Sequence, residues 1–385
     1  MNTVERYKAV YRGEPVDRVP ISAWLGLPLL RQITGKGPRA ILEELVDNPL
    51  VIVKIQEDLG LDPVVLTVDD YRRFSMHRYW RLLYSWPEAA LETWQVKEEV
   101  VEKKDGVVLF RFTSATPEGP LTWTYHVGDA QVGEDEPVIK DEIDFEMLMK
   151  YLPEPETLNQ DRLVKMLDAV GDRAFFTHQF LGVWGQAANM RGLVNLATDI
   201  IERPDFVHRI SQSLMERSIS RVRHLAQTGI HSMTYDQTWT GIGFSRQHYT
   251  EFMLPYDKEV VKAAQQAGLL VSFHNCGQGM RFLDEIVSTG ADSLETLTPK
   301  ESSGDFDLAE VKQRVGDQIT LQGGFNERML SDASSDEITS AVKWCLDTAA
   351  GSGRYILRST GQIFDSAPGN IEVFTQAGRD YGSYL

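Results

Sequence analysis

The chain has 385 residues, 42% of them hydrophobic, which is enough for one large domain or two ordinary ones with a filled core. Its formal net charge of -17 argues against a sequence-independent grip on nucleic acid and against binding to an anionic membrane surface. The sequence has no apolar run as long as a transmembrane helix and no signal-peptide pattern at its start, and its two cysteines cannot build a disulfide framework. We therefore expect a cytoplasmic protein.

Short apolar runs alternate with helical patterns from about residue 17 onward. The predicted strands, in chain order, are 18–24, 62–68, 174–178, 232–236, 269–274, 291–295, 318–321 and 354–357. Helical patterns lie between most of them, at 40–58, 193–228, 246–268, 279–290, 308–315, 334–350 and about 370–381. Strands that alternate with helices in this way predict an α/β fold, a single (β/α)8 TIM barrel that spans residues 1–385.

One segment departs from this alternation. Residues 93–127 contain two runs of alternating apolar and polar residues, joined by the turn Lys104-Asp105-Gly106. This pattern predicts a β-hairpin or meander inserted between barrel strands 2 and 3. We interpret it as an excursion that could roof the cavity, within the one domain.

Polar residues follow most of the predicted strands. In a barrel of this kind the chemistry takes place at the carboxyl ends of the strands. The residues at those ends, taken in chain order, are His178, Asp236, His274, Cys276, Glu295, Gln322, Asn326, Ser359 and Thr360.

His274-Asn275-Cys276 directly follows the apolar run that ends at Phe273. One imidazole and one thiolate at the mouth of a strand can hold zinc, and Glu295 from the neighbouring strand is the expected third ligand. The alternative is a hydrogen-bonded His and a buried Cys in a strand-to-helix turn. Cys345 falls on the apolar stripe of the predicted helix 334–350, so we interpret it as core packing.

The other polar residues have more than one interpretation. Asp236, His178 and His274 are candidates for moving a proton, whereas Asp236 could also be a fourth ligand, an acceptor behind a ligand, or a capping carboxylate. His178 could equally line the pocket. Gln322 and Asn326 could orient a polar group of the substrate or form turns.

Aromatic residues lie near the same strand ends, where few basic residues are found. They could line an apolar pocket for a small neutral or aromatic ligand, although most aromatic side chains belong to the core. These residues are Trp24, Tyr71, Phe180, Trp184 and Trp239.

Several short segments occur in a fixed order along the chain. They run from Arg6 to Pro20, from Arg191 to Pro204, Pro255-Tyr256, Phe273-His-Asn-Cys-Gly277, Leu321-Gln-Gly-Gly-Phe-Asn326 and Ala367-Pro-Gly-Asn-Ile371. Together they resemble the uroporphyrinogen decarboxylase superfamily over nearly the whole chain, and the resemblance implies a (β/α)8 barrel.

The resemblance is nearer to the zinc-dependent methyltransferases that work with corrinoid proteins than to the decarboxylases. The decarboxylases carry an Arg-rich loop after strand 1 that grips porphyrinogen carboxylates, where this chain has Ala23-Trp-Leu-Gly-Leu-Pro28. The methyltransferases share the His-x-Cys, which implies that His274 and Cys276 are zinc ligands. Their third ligand is a Cys after strand 8, where this chain has Ser359 and Thr360. Either Glu295 or Asp236 completes the site, or the metal is held loosely, or His274 acts without metal.

The resemblance therefore implies a methyltransferase component. It would move a methyl group between the cobalt of a separate corrinoid protein and a second methyl carrier. That carrier would be a small O- or N-methyl donor, with a phenyl methyl ether as the first choice, or a folate-type carrier. Zinc or a proton donor would activate the heteroatom. The alternatives are a metal-free decarboxylase and a non-catalytic barrel that binds a tetrapyrrole or corrinoid. The protein could also form a homodimer.

Overall fold

The computed structural model describes residues 1–68, 92, 94–128, 132–237 and 243–383. Across these ranges the strands fall into two sheets, one parallel and one antiparallel. In chain order they are β1 Ile21–Leu25, β2 Val64–Val68, β3 Gln95–Lys104, β4 Val107–Thr116, β5 Gly119–Val127, β6 Val132–Glu136, β7 Phe175–Leu181, β8 Ser232–Asp236, β9 Leu270–His274, β10 Ser293–Thr296, β11 Thr320–Phe325 and β12 Tyr355–Ile363.

The parallel sheet is a nearly closed barrel of eight strands within the described residues. Its order is β1-β12-β11-β10-β9-β8-β7-β2. The two ends of the sheet meet at Asp62, whose N–H donates to Ile21 O at 2.8 Å while its Oδ2 accepts from Ile21 N at 2.8 Å. The predicted barrel is confirmed.

Helices cover the outside of the barrel and its two ends. Those within the described ranges are α1 Thr3–Arg12, α2 Leu27–Thr34, α3 Pro38–Asp47, α4 Leu50–Asp58, α5 Glu142–Tyr151, α6 Asp161–Val170, α7 Val183–Arg191, α8 Leu193–Glu202, α9 Pro204–Ala226, α10 Arg246–Phe252, α11 Leu254–Gln266, α12 Leu283–Val287, α13 Leu308–Val315, α14 Met329–Asp332, α15 Ser335–Ala349 and α16 Asn370–Tyr381. None of the helices in the described part of the chain combines the length and the hydropathy needed to cross a membrane.

Several boundaries differ from the predictions. Strands β7, β11 and β12 extend beyond the predicted ends, so residues that the sequence placed in loops lie inside strands. The predicted helix 193–228 is two helices, because Pro204 cannot continue a helix and instead occupies the first turn of α9. The predicted helix 246–268 also divides, between α10 and α11, where Pro255 lies in the first turn of α11.

The predicted insertion is an antiparallel sheet of order β3-β4-β5-β6, which adds a strand beyond the expected end at residue 127. One face of this sheet is part of the main hydrophobic core, with Phe112 1% and Trp123 3% exposed. Their rings stack at 5.6 Å between centroids. Strand β3 at the edge is mostly exposed and carries charged residues, which discourages pairing with other chains.

Helix α1 closes the end of the barrel opposite the candidate site. A capping box between Asn2 and Glu5 fixes its start. Tyr7 and Tyr11 pack against Phe175 and Ile356 in a second, smaller core cluster. The carboxyl ends of the strands remain as the face on which a pocket can form.

Candidate functional site

His274 is the last residue of β9, and both of its ring nitrogens have partners. Nδ1 lies 2.7 Å from Glu295 Oε1, and Nε2 lies 2.9 Å from Cys276 Sγ. His274 is 2% exposed and Glu295 is 3% exposed, whereas Cys276 is only partly buried. Cys276 is therefore the end of this series that meets the pocket.

The second oxygen of Glu295 binds an arginine. Arg358 Nη1 donates to Glu295 Oε2 at 2.5 Å, and Ser272 Oγ donates to the same oxygen at 3.2 Å. Arg358, Glu295, His274 and Cys276 thus form one continuous series of polar contacts across β12, β10 and β9. The side chain of Arg358 is 14% exposed, so the guanidinium is largely shielded from solvent.

The charges in this series reinforce each other. Burial alone would lower the pKa of His274, but the negative charges of Cys276 and Asp236 and the hydrogen bonds to Cys276 and Glu295 raise it well above its ordinary value. Burial also opposes ionisation of Cys276, yet the charge of His274 and its hydrogen bond lower the thiol pKa overall. The pair therefore tends toward imidazolium and thiolate.

The arrangement bears on the predicted zinc ligands. His274 Nε2 and Cys276 Sγ point to one spot, but Glu295 lies on the opposite nitrogen of the ring. Across the described residues no group of three or more His, Cys, Asp and Glu side chains is arranged to hold a metal ion. His274 Nε2 and Cys276 Sγ are placed to bind a metal as two ligands. The three-ligand set with Glu295 does not fit this arrangement, because Glu295 binds Nδ1, on the opposite side of the imidazole from Cys276.

Asp236 and Trp24 flank the same spot. Asp236 is 1% exposed, and its Oδ2 accepts from Gln179 Nε2 at 2.7 Å. The Trp24 ring stands edge-on to His274 at 5.9 Å between centroids, and the Arg358 guanidinium carbon lies 5.9 Å from the Trp24 ring centroid. Trp24 therefore gives the pocket one aromatic wall.

Two predicted site residues lie on the other side of the barrel wall. Successive side chains of a strand point to opposite faces, and Gln179 of β7 points inward to Asp236. His178 and Phe180 must then point outward, and both are 0% exposed. His178 Nδ1 lies 2.7 Å from Thr67 Oγ1 of the adjacent strand β2. The structure does not bring these two residues to the pocket.

The remaining predicted residues hold the barrel and its loops together. Gln322 lies inside the barrel, where its Nε2 donates to Tyr11, Ser293 and Ser272. Asn326 Oδ1 accepts from Arg328 N at 3.1 Å, which is a turn contact. Three more are buried among their neighbours: Ser359, Thr360 and Trp184.

Ser359 Oγ accepts from Trp24 N at 3.1 Å, and Thr360 Oγ1 donates to Glu327 Oε2 at 2.7 Å. The Trp184 ring packs edge-on against Phe244 at 5.2 Å between centroids. Tyr71 and Trp239, the other two predicted aromatic contacts, lie outside the described residues. The described residues around the His274–Cys276 pair are therefore fewer and more polar than the set that the sequence predicted.

Sequence reasoning assigned no role to Arg358, Ser272 or Gln179. All three point into the barrel from strands, and each binds a carboxylate that the sequence did single out. The alternation of inward and outward residues along β7 and β9 contained a signal for Gln179 and Ser272. The only sequence signal for Arg358 was its position after an apolar run, and a charged residue at such a position usually begins a loop.

The backbone after Glu295 is unusual. Thr296 and Leu297 have φ of 76° and 54°, in the left-handed region that residues with a side chain rarely adopt. Gly323 of the neighbouring strand β11 permits this path, because a Cβ there would lie 2.0 Å from Thr296 O. The close approach of the two backbones fixes the end of β10, and with it the position of Glu295.

Comparison with known proteins agrees with this architecture. A family model described as uroporphyrinogen decarboxylase (URO-D) matches residues 133–381. The uroporphyrinogen decarboxylase of Trichodesmium erythraeum is 22% identical over 293 residues, which are 74% of this chain and 80% of that protein. The chloroplastic uroporphyrinogen decarboxylase 2 of Arabidopsis thaliana is 24% identical over 336 residues, 82% of this chain and 77% of its own length. The match to the enzyme of Dechloromonas aromatica spans only about half of each chain, 47% and 48%, at 26% identity.

Among solved structures, a methyltransferase from Methanosarcina mazei has the same fold. It superposes with a TM-score of 0.65 over 99% of both chains at 14% sequence identity, which shows the fold alone. The family model, in contrast, covers more than half of the sequence. The chain therefore belongs to the uroporphyrinogen decarboxylase family.

Proposed function

We propose that this protein is a corrinoid-dependent methyltransferase component. It moves a methyl group to or from the cobalt of a corrinoid on a separate protein. The other methyl carrier is a small O- or N-methyl compound, with a phenyl methyl ether as the first choice, or a folate-type carrier. The observation that carries the proposal is the pair of His274 Nε2 and Cys276 Sγ, 2.9 Å apart at the mouth of β9. A match to the same family's decarboxylases leaves the reaction open, so the proposal depends on this pair and its surroundings.

A methyl ether is a poor electrophile, because the alkoxide that leaves is strongly basic. A proton supplied to the heteroatom as its bond to the methyl carbon breaks lowers that barrier. The pair holds one proton, which rests on His274, and Cys276 passes it to the heteroatom because it is the more exposed member of the pair. The methyl carbon passes to the acceptor, which supplies the electron pair, and the heteroatom keeps its bonding pair and takes the proton.

The surroundings of the pair favour a small donor over a porphyrinogen. Trp24 offers an aromatic face beside His274. The segment from the end of β1 to the start of α2, residues 23–28, contains no arginine that could bind carboxylates. Arg358 is already paired with Glu295, so it is committed to a carboxylate of the protein. A substrate with many carboxylates needs several arginine forks, which the described part of this pocket does not present.

The proposal is tested by methyl transfer from a panel of phenyl methyl ethers to cob(I)alamin. We expect His274→Ala and Cys276→Ser to lower the rate by about 100-fold or more, because the proton donor is lost. Cys345→Ala is the matched control, since Cys345 is 1% exposed in the core on α15. Transfer that survives His274→Ala would contradict the mechanism.

The two other candidate functions give different results in parallel assays. Release of CO2 from uroporphyrinogen at enzymic rates would identify a decarboxylase instead. Tight binding of a corrinoid or tetrapyrrole without turnover of any methyl donor would identify a binding protein.

Zinc at the His274–Cys276 pair stays a prediction. His274 Nε2 and Cys276 Sγ would supply two ligands, with Glu295 orienting the imidazole from Nδ1. We expect elemental analysis to find zinc in protein purified without chelator, to lose it in Cys276→Ala and to retain it in Cys345→Ala. Zinc-free wild-type protein that still transfers methyl groups would show that the His274–Cys276 pair works by proton donation alone.

A further inference from the structure

We propose that Arg358 is a positioning residue, which acts through Glu295 to hold His274 in the orientation that presents Nε2 to Cys276. The sequence analysis assigned no role to Arg358. Only the expected effect on methyl transfer depends on the proposed function. The effect on the geometry of His274 does not.

The first step concerns Glu295. Its side chain is 4% exposed, and a carboxylate this deeply buried needs a cation or several donors to remain ionised. Arg358 Nη1 supplies the cation at 2.5 Å from Oε2. Without it, Oε2 would lose its shortest contact and the carboxylate would turn toward another donor.

The direction of the Glu295 side chain is fixed by the contacts of its Oε2. Ser272 Oγ also donates to Oε2, at 3.2 Å. Ser272 in turn accepts from Gln322 Nε2, which also donates to Tyr11 OH at 2.7 Å. Arg358 and this buried network hold Oε2 from two sides. Oε1 is therefore left to face Nδ1 of His274, 2.7 Å away.

The third step concerns the imidazole. An ionised carboxylate only accepts hydrogen bonds, so it requires an N–H at Nδ1 of His274. That bond fixes the plane and the rotation of the ring, and Nε2 then faces Cys276 at 2.9 Å. If Oε2 lost Arg358 and the carboxylate turned, Oε1 would no longer face Nδ1, and the ring would lose this constraint. Arg358 thus acts on Cys276 through two intervening side chains.

The test uses Arg358→Gln and Arg358→Lys in the full-length chain. The matched control is Arg191→Lys, because Arg191 forms a comparable buried ion pair with Asp199, Nε to Oδ2 at 2.7 Å, in another part of the fold. The direct readout is the downfield proton NMR resonance of the His274 Nδ1–H, assigned by its disappearance in His274→Ala. The second readout is kcat and KM for methyl transfer.

We expect Arg358→Gln to lose or displace the Nδ1–H resonance and to lower kcat by about 10–100-fold, the usual range for removing a side chain that helps to orient a histidine of the site. KM should change much less. Arg358→Lys should displace the resonance by a smaller amount and recover part of kcat, because an ammonium keeps the charge but not the planar fork. Arg191→Lys should leave the resonance and kcat unchanged.

An unmoved resonance in folded Arg358→Gln would overturn the proposal. If that variant does not fold, Arg358→Lys decides, and an unmoved resonance together with unchanged kcat overturns it. Failure of the proposed function is a separate result, because it would show as absent methyl transfer in the wild-type protein while the NMR readout still reports on Arg358.

Discussion

At the scale of single residues, neighbouring charges decide the state of each buried ionisable group. Glu295 and Asp257 illustrate two outcomes. Burial opposes ionisation of Glu295, but Arg358 and His274 outweigh it and lower its pKa to about 2. Asp257 on α11 is fully buried with only neutral partners, the hydroxyls of Tyr235 and Tyr249 and the amide of Gln237, so burial dominates and raises its pKa to about 7.

Asp257 predicts how the stability of the fold depends on pH. In the unfolded chain this carboxyl ionises near 3.8, whereas in the folded protein it keeps its proton up to about pH 7. The folded state therefore binds more protons between these values, and the free energy of unfolding falls as pH rises through this window, by at most about 4 kcal/mol. We expect Asp257→Asn, which cannot ionise, to reduce that fall in urea unfolding at pH 5 and pH 8.

The control is Asp347→Asn, an exposed aspartate on α15 paired with Lys343 at 3.0 Å. It should leave the pH dependence as in the wild type. An unchanged pH dependence in Asp257→Asn would show that this carboxyl is ionised in the folded protein at pH 5.

The sequence revealed part of the site at this scale. His274, Cys276, Glu295 and Asp236 were found, because each follows an apolar run that is a barrel strand. It could not reveal which nitrogen of His274 Glu295 binds, because that depends on the distance between β9 and β10. It also could not reveal that Arg358 reaches Glu295, because the two residues are 63 positions apart and meet only in the closed barrel.

At the scale of elements, the antiparallel sheet β3–β6 is the part of the fold that departs from a plain barrel. Its inward face joins the core shared with the barrel and α5, and Thr116 Oγ1 lies 3.1 Å from Met147 Sδ of that helix. The alternation of residues in 93–127 predicted the hairpin, since one face is buried and the other exposed. The break between α8 and α9 could be predicted from Pro204. The additional length of β7 beyond residue 178 could not, because Gln179 resembled the start of a loop.

This packing predicts that the sheet unfolds together with the barrel. Trp123→Ala removes a ring that is 3% exposed and stacked on Phe112, and it should lower the free energy of unfolding by about 3–5 kcal/mol. Trp344→Ala, at a tryptophan that is 51% exposed, should change it by less than about 1 kcal/mol.

The measurement is chemical denaturation followed by both tryptophan fluorescence and far-ultraviolet circular dichroism. Coincident transitions that both shift in Trp123→Ala would agree with a common core. A first transition confined to the sheet, with the barrel transition unmoved, would contradict it.

At the scale of the whole molecule, the barrel separates stability from chemistry. Helix α1 and the pair of Arg6 and Arg18 on Asp62 close the end away from the site, with N–O distances of 2.9 Å and 2.6 Å. The opposite end collects His274, Cys276, Glu295, Asp236 and Arg358 on the carboxyl ends of four strands. This division is general for (β/α)8 barrels, which is why the fold could be predicted from strand and helix periodicity while the reaction could not.

The proposed function requires that the His274–Cys276 pair support transfer of a methyl group to cobalt. The most direct measurement is a single-turnover mixture of the wild-type protein, cob(I)alamin and methoxybenzene, followed by the absorbance change from cob(I)alamin to methylcobalamin. We expect methylcobalamin and phenol in equal amounts with the wild-type protein and neither with His274→Ala. Equal rates for the two proteins, or no transfer from any methyl ether alongside CO2 release from uroporphyrinogen, would contradict it.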